Sequence, residues 1–472
     1  MKVIGGRCYH KPRNKPPRKF DVSALRCKST DNSTINNPRH LFQDRLNAST
    51  RAAWKVDSTV EEKWTTIRAG LIEAATEVLG REQRRHPDWW RDSAETLEPL
   101  FQQRNNLYVK WLSSGSPRVK EEFARARRDA RRAVRNAKNA WFLSKAQEAE
   151  QGRFGAKEVW QCIRDMQHAC RGLVPARSGT IRDEAGNPCL SAEERQQRWR
   201  RHFTSVLNQQ SHFDAEELAR AEQKPLRAEM AEPPSEEELV KAVSSLKNGK
   251  TGGESGILPE MVKAGCQSVE FRGLLLDLVH TAWREKKVPQ EWANSVLVPV
   301  PKKGDLSCCD NWRGISLLDV VGKVVGRILQ DRLQQLAEEV LPELQCGFRK
   351  KCGCSDMIFV ARQLVKKLRE HQAKMFFIFI DLRKAYDSVP RAALWQALGV
   401  ADSTIELIKS FHQETRAKLR LDGALLDEIN ILNGLRQGCC LVPTLFNLYA
   451  FLLAERWAAR IQGIDGIRVQ TR

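Results

Sequence analysis

The stretch MFFIFIDLRKAYDSVPRAALWQAL, residues 375–398, decides how the rest of the chain is read. Met375 to Ile380 is an unbroken apolar run of strand length. A run apolar on both faces predicts a strand buried on both faces. It ends in Asp381, which would set a carboxylate at the rim of a sheet, a common place for metal-dependent chemistry. Tyr386 follows five residues later. Asp387 or Ser388 is placed to cap a helix over about Pro390 to Leu398, with Pro in its permissive first turn. Taken alone, the run reads first as a core strand ended by a solvated Asp, and the surrounding chain has to decide.

Composition narrows the class. A chain of 472 residues is long enough for two or three domains with sizeable cores. Lys and Arg number 78 against 58 Asp and Glu, a formal net charge of +20, so a polyanion, nucleic acid first, is the expected partner. Thirteen cysteines in a chain this long do not make a disulfide scaffold. Met1 to His10 is too short and too polar for a secretory signal, and no apolar run reaches a membrane span. The expected setting is intracellular, nucleus or cytoplasm, not secreted, with reduced thiols and no membrane partner.

Residues 1–40 are rich in Pro, Asn, Ser, Lys and Arg and read as a disordered basic tail, with KPRNKPPRK at 11–19 a short basic cluster. Residues 41–232 read as a helical linker region. Over 41–110 the apolar residues recur at three and four, interrupted at HPDWW (86–90) by a turn whose Trp residues would anchor helices. Residues 118–150 predict one long helix without internal Gly or Pro. Phe123, Ala126, Ala130, Val134, Ala137 and Trp141 form its narrow apolar stripe. Arg125, Arg128, Arg131, Arg132, Arg135 and Lys138 cover much of the remainder. Crowded like charges repel, and phosphates lying against the helix would relieve that repulsion; a plain solvated face is the equal alternative. KEVWQCIRDM (157–166) is a further amphipathic helix. AGNP (185–188) marks a hairpin, and Ser191 with Glu194, then Ser235 with Glu238, are capping boxes. NGKTGGESGI (248–257) is a Gly-rich loop without the Lys-Ser/Thr arrangement of a P-loop. A core helix is expected from about Ser316 to Glu339. Cys346, Cys352 and Cys354 fit no standard zinc spacing. Asp422-Gly423 predicts a hairpin in which Arg416, Lys418 and Arg420 share one strand face and Ala417, Leu419 and Leu421 the other.

Several blocks occur in a telling order. VLVPVPKKGD (296–305) with NWRGISLLDVVGKVVGRIL (311–329) precedes QCGFRKKCGCSDMIF (345–359), then FIDLRKAYDSV, then GLRQGCCLVPTLFNLY (434–449). Together they resemble the fingers and palm motifs of reverse transcriptases encoded by non-LTR, LINE-type retrotransposons. The resemblance implies an α+β fold: right-hand polymerase fingers over 233–372 and a partial palm over 373–472, preceded by the mainly helical N-terminal region. It implies RNA-directed DNA polymerisation, with an RNA template, a DNA primer and deoxynucleoside triphosphates as partners; it leaves the oligomeric state unspecified.

By the same resemblance Asp381 is the catalytic, metal-holding carboxylate, helped by the backbone carbonyl of Leu382. Tyr386 is the gate against a ribose 2′-hydroxyl. Lys302 and Arg313 grip the triphosphate, where charge migrates to the leaving pyrophosphate. Gln437 and Gly438 line the nucleotide pocket, and Arg349 follows template phosphates. The Gly-rich loop of the family usually ends in Asp-Gly, and Ser255 stands here in place of the Asp. Cys440 stands where a small residue or Pro is usual. The implied cofactor is a pair of Mg²⁺ ions, about 4 Å apart. Holding two hard cations takes several carboxylates. In the family the others come from a later Asp-Asp hairpin, and no Asp-Asp dipeptide occurs in this sequence. The expectation is therefore a piece truncated before that motif and inactive alone. The alternative is a non-enzymatic, basic nucleic-acid-binding remnant.

Overall fold

The computed structural model describes residues 20–26, 37–81, 88–150, 181–209, 228–343, 345–350, 352–373, 379–382, 384–397, 402–421 and 424–460. In chain order the longer elements are α1 (Pro38–Ala53), α2 (Val60–Val78), α3 (Ala94–Ser114), α4 (Pro117–Glu150), α5 (Ala192–Leu207), α6 (Glu236–Ser245), α7 (Pro259–Cys266), α8 (Val269–Glu285), β1 (Ser295–Pro301), β2 (Trp312–Leu317), α9 (Val320–Val340), α10 (Cys354–Glu370), α11 (Arg391–Ala397), α12 (Asp402–Ser410), β3 (Thr415–Leu421), β4 (Ala424–Ile431) and α13 (Val442–Arg460). The chain divides into two compact units, residues 1–81 with 178–472, and residues 82–177.

The larger unit is mixed α and β. Its sheet runs β2-β1-β3-β4; β1 pairs antiparallel with β2 and parallel with β3, and β3 pairs antiparallel with β4. Alternation explains the sheet's inner face. Ala417 and Leu419 of β3 are buried with Ile429 and Ile431 of β4, under Trp199 and Phe203 of α5. Arg416 and Lys418 alternate with them and meet Glu428 at 3.3 and 3.5 Å. Leu421 pairs with Ala424, so the strands that flank residues 422–423 pair antiparallel as the expected hairpin requires. The AGNP hairpin closes through Arg182 and Pro188. Both capping boxes form, at Ser191 with Glu194 and at Ser235 with Glu238.

The larger core joins distant parts of the sequence. Phe42, Leu46, Trp64 and Ile67 from α1 and α2 are buried with Phe271 and Leu275 of α8 and Val320, Val324 and Ile328 of α9. Trp64 sets its ring edge-on to Trp292, 5.4 Å away, and its indole N–H donates to Glu291 at 2.7 Å. Trp292 lies just before β1, so α2 buttresses the strand that leads to Lys302.

In the unit formed by residues 82–177, Gly115 in the left-handed region (φ +61°) ends α3 and turns the chain into α4. Trp111 stacks on Phe123 near that turn, and Trp89, Leu97 and Trp141 are buried together farther along the pair. Ala130 and Trp141 of the expected apolar stripe are buried, while Arg125, Arg128, Arg131, Arg132 and Arg135 are exposed.

Some expectations need correction. The buried strand is not seen at its described end: Phe379 and Ile380 are 91% and 63% exposed and outside any strand. Among the described residues no strand lies beside them, and a strand can be buried on both faces only when partners cover both; residues 375–378 lie outside the described residues. The core helix begins at Val320 rather than near Ser316, because Trp312–Leu317 pairs with β1 as β2. Asp319 then caps the helix, accepting from the backbone of Val321 at 2.8 Å and Gly322 at 3.3 Å. The basic tail is not uniform: Phe20, Val22 and Leu25 enter the large core. Instead of a turn, Asp88–Arg91 is a short helix that buries Trp89. Ser388 donates its hydroxyl to the Ala385 carbonyl at 3.2 Å, in the turn ahead of α11. The basic cluster at 11–19 and the helix expected at 157–166 lie outside the described residues.

Candidate nucleotide cleft

An open cleft of about 1210 Å³ in the larger unit gathers residues far apart in sequence. Lys302 and Arg313 reach it from the β1–β2 ribbon, Asp381, Leu382 and Tyr386 from the segment before α11, and Gln437 and Gly438 from the loop before α13. These are all the residues that the sequence assigned to the nucleotide and the catalytic carboxylate.

Backbone hydrogen bonds hold the three segments in register. Leu435 N–H donates to the Tyr386 carbonyl at 2.7 Å, and Gly434 N–H to the Val389 carbonyl at 3.1 Å. Ser316 N–H of β2 donates to the Gln437 carbonyl at 2.8 Å. The glycines permit this approach. Gly434 has φ +73°, and a Cβ there would stand 2.5 Å from the Asp387 carbonyl oxygen; Gly438 has φ +114°, and its Cβ would stand 2.5 Å from that of Ser316.

Positive charge dominates the lining. Lys247, Lys250, Lys302, Arg313, Lys323, Arg327 and Lys384 face Asp310, Asp381 and Asp387. Lys302 donates to the Asp310 carbonyl at 3.0 Å, and Lys384 stands 3.8 Å from the Asp310 carboxylate. Burial pushes the Asp387 carboxyl up to about 6, with Lys384 and Lys302 opposing. Burial lowers the Lys323 ammonium and takes His202 down to about 4. Sequence reading missed Lys384, Asp387, Lys323 and His202 as parts of the site. The first two sit inside the motif already singled out, and their spacing from Asp381 was the available signal.

Tyr386 is half-buried, its ring edge-on to Phe446 at 5.1 Å and tilted to Phe348 at 6.4 Å. Those neighbours fix the ring at the cleft wall. Asp381 is exposed on the cleft. Cys439 and Cys440 share a hydrogen bond, which pulls the Cys439 thiol down and pushes that of Cys440 well up. Ser255, where the resemblance implied an Asp, donates its hydroxyl to the buried Asp319 at 2.5 Å and so ties the Gly-rich loop to the cap of α9. That carboxyl is raised to about 6 by burial, and a second carboxylate beside it would be costly.

Two sets of expected residues lie elsewhere. Arg349 is turned inward: it pairs with Glu338 at 2.7 Å, donates to the carbonyls of Pro342 at 2.7 Å and Gln345 at 3.3 Å, and leaves only 10% of its side chain exposed. Its donors are committed to closing the loop after α9, so it is not presented to a template phosphate. Arg128, Arg131, Arg132 and Arg135 belong to the other compact unit, residues 82–177.

Residues 300–470 match the family model described as reverse transcriptase (RNA-dependent DNA polymerase). The chain is a relative of the non-LTR retrotransposon reverse transcriptases. It is 25% identical over 419 residues to the probable RNA-directed DNA polymerase from transposon X-element of Drosophila melanogaster, covering 86% of this chain and 44% of that protein. To the RNA-directed DNA polymerase from mobile element jockey of the same organism it is 22% identical, over 74% of this chain and 38% of that protein. It is 29% identical to the retrovirus-related Pol polyprotein from type-1 retrotransposable element R2 of Popillia japonica, over 34% of this chain and 23% of that protein. The chain thus spans less than half the length of these curated relatives.

Whether the cleft fits two divalent ions is a question of donors. Among the described residues, no group of three or more His, Cys, Asp or Glu converges as a metal would require. Asp381 offers one carboxylate. The described donors therefore do not fit a magnesium pair. Among the described residues, no helix is long and apolar enough to cross a membrane.

Proposed function

We propose that the larger unit is the fingers and the first part of the palm of an RNA-directed DNA polymerase, and that its cleft receives the incoming deoxynucleoside triphosphate. The observation that carries this reading is the convergence of Lys302, Arg313, Asp381, Tyr386, Gln437 and Gly438 on one basic cleft from three segments spread between residues 302 and 438. Excess positive charge in a concave site is what a triphosphate requires. Arg313 offers its fixed fork of donors to the phosphates. Tyr386, wedged between Phe348 and Phe446, presents a ring to the sugar and excludes a 2′-hydroxyl. Gln437 and Gly438 shape the floor. An RNA template and a DNA primer are the proposed polymer partners, inside the cell.

Asp381 supplies one of the carboxylates such an enzyme needs for magnesium, and among the described residues it belongs to no group of three or more metal-ligating side chains. We therefore expect this chain by itself to bind nucleotide without polymerising it. Ultraviolet cross-linking of a labelled deoxynucleoside triphosphate should mark the wild type and fall in Lys302→Ala and Arg313→Ala. Primer extension on an RNA template should show no incorporation above background, in wild type or Asp381→Ala. Incorporation that disappears in Asp381→Ala would sink the claim of inactivity; cross-linking indifferent to Lys302 and Arg313 would sink the nucleotide cleft.

A second reading, binding of nucleic acid without catalysis, is favoured by the exposed arginines of α4 and the formal charge of +20. Binding that weakens steeply with salt supports it.

A further inference from the structure

The unit formed by residues 82–177 carries a groove of its own, about 540 Å³, along the seam between α3 and α4. Its floor and walls combine two kinds of side chain. Phe101, Tyr108 and Phe123 give aromatic surface, and Arg104, Arg127 and Arg131 give positive charge. Tyr108 is 44% exposed although its ring packs 5.3 Å from that of Phe123. The Arg104 guanidinium lies over the Phe101 ring at 4.4 Å and is held by Asn105 at 2.7 Å. Arg127 and Arg131 are exposed, and among the described residues neither has an acidic partner.

A helix pair that needed only to be soluble would cover its aromatic rings and pair its arginines with acids. This one leaves an aromatic face open between unpaired guanidiniums. Aromatic rings accept bases by stacking, and flanking arginines accept the phosphates that follow along the strand. Base faces are available for such stacking only where they are not stacked on each other inside a duplex. We propose that the α3–α4 groove is a binding site for single-stranded nucleic acid, with a base stacked on Tyr108 and the adjoining phosphates on Arg127 and Arg131. Charge complementarity selects this occupant over an apolar peptide, for which the rim would be an unpaired row of cations. The proposal rests on the second reading above, nucleic-acid binding through α4, and does not depend on the nucleotide cleft.

The test uses the full chain and fluorescein-labelled oligo(U), read by anisotropy over a salt series, with a labelled duplex of matched length beside it. The single strand should bind more tightly than the duplex. Tyr108→Leu, which keeps apolar packing but removes the ring, should weaken single-strand binding roughly tenfold with little change in salt slope. Tyr108→Phe should bind like wild type. Arg127→Gln with Arg131→Gln should lower the salt slope by about 1.4, two phosphate contacts at roughly 0.7 each. Circular dichroism melting of each variant guards against loss of fold. Full affinity in Tyr108→Leu, or a duplex bound as well as the single strand, would overturn the proposal. Nucleotide cross-linking should be unchanged in these variants, so failure here and failure of the nucleotide cleft would be told apart.

Discussion

The backbone N–H of Leu435 donates to the carbonyl of Tyr386 at 2.7 Å. This bond joins the loop that carries Gln437 to the turn that carries the aromatic wall of the cleft. Both segments are irregular, so their mutual placement rests on a few bonds and on close backbone approach rather than on a ladder.

Gly434 should tolerate no side chain. Its φ is +73°, and a Cβ at this position would come within 2.5 Å of the Asp387 carbonyl oxygen, so Gly434→Ala must shift one segment. Backbone strain of this kind costs about 1–3 kcal/mol before the clash is counted. Urea unfolding should show a loss of at least about 2 kcal/mol, and nucleotide cross-linking should fall with it.

Asp387 should make stability depend on pH. Its carboxyl titrates near 6 in the fold, against the ordinary value of 3.8. The folded state therefore holds the proton more tightly than the unfolded one. The protonated form is accommodated at low pH, and stability is lost as pH rises through about 6. The full cost above that pH is on the order of 3 kcal/mol. Asp387→Asn should gain on the wild type between about pH 5 and about pH 8, measured by urea midpoints at both. An equal difference at the two pH values would refute this account.

Ser255 and Asp319 should behave as a unit. Removing the hydroxyl in Ser255→Ala takes a donor from a buried carboxylate and should cost about 1.5–3 kcal/mol at neutral pH. Ser255→Asp, which installs the Asp that the resemblance led us to expect, should cost more, because it sets two carboxylates side by side. Thermal melts of both variants at low and neutral pH check the order; the penalty of Ser255→Asp should shrink in acid.

Arg349 separates a structural role from a phosphate contact. Arg349→Met should lower stability through the lost Glu338 pair, yet leave the salt slope of nucleic-acid binding unchanged. A slope reduced by about 0.7–0.9 would mean that the side chain turns outward to a phosphate when nucleic acid binds.

Trp64 tests whether α2 supports the polymerase-like unit. Truncating this fully buried ring should cost about 3–5 kcal/mol. It should also weaken nucleotide cross-linking, because Trp292 loses its neighbour just before β1. Loss of stability with intact cross-linking of the folded fraction would show that α2 does not position Lys302.

Much was legible in the chain itself. Capping boxes, the Asp-Gly turn, the alternation of Arg416 to Leu421 and the uninterrupted helix α4 are local: each depends on neighbours within a few residues, and periodicity records them. Ordered motifs also singled out Lys302, Arg313, Asp381, Tyr386, Gln437 and Gly438, and the fold lines one cleft with all six. Tertiary structure alone decided the rest, because it turned on partners distant in sequence. Met375 to Ile380 has the composition of a buried strand, yet at its described end Phe379 and Ile380 stand exposed, because burial of a strand depends on covering elements that composition does not specify. Arg349 has the look of a phosphate ligand until Glu338 and two carbonyls are seen to take its donors. Phe20 to Leu25 sits in a stretch of disorder-prone composition, yet a pocket between α1 and α7 was there to bury it. The sequence determined which side chains are on hand and where each sits in its local element; packing between segments far apart along the chain determined which of them face the same cleft.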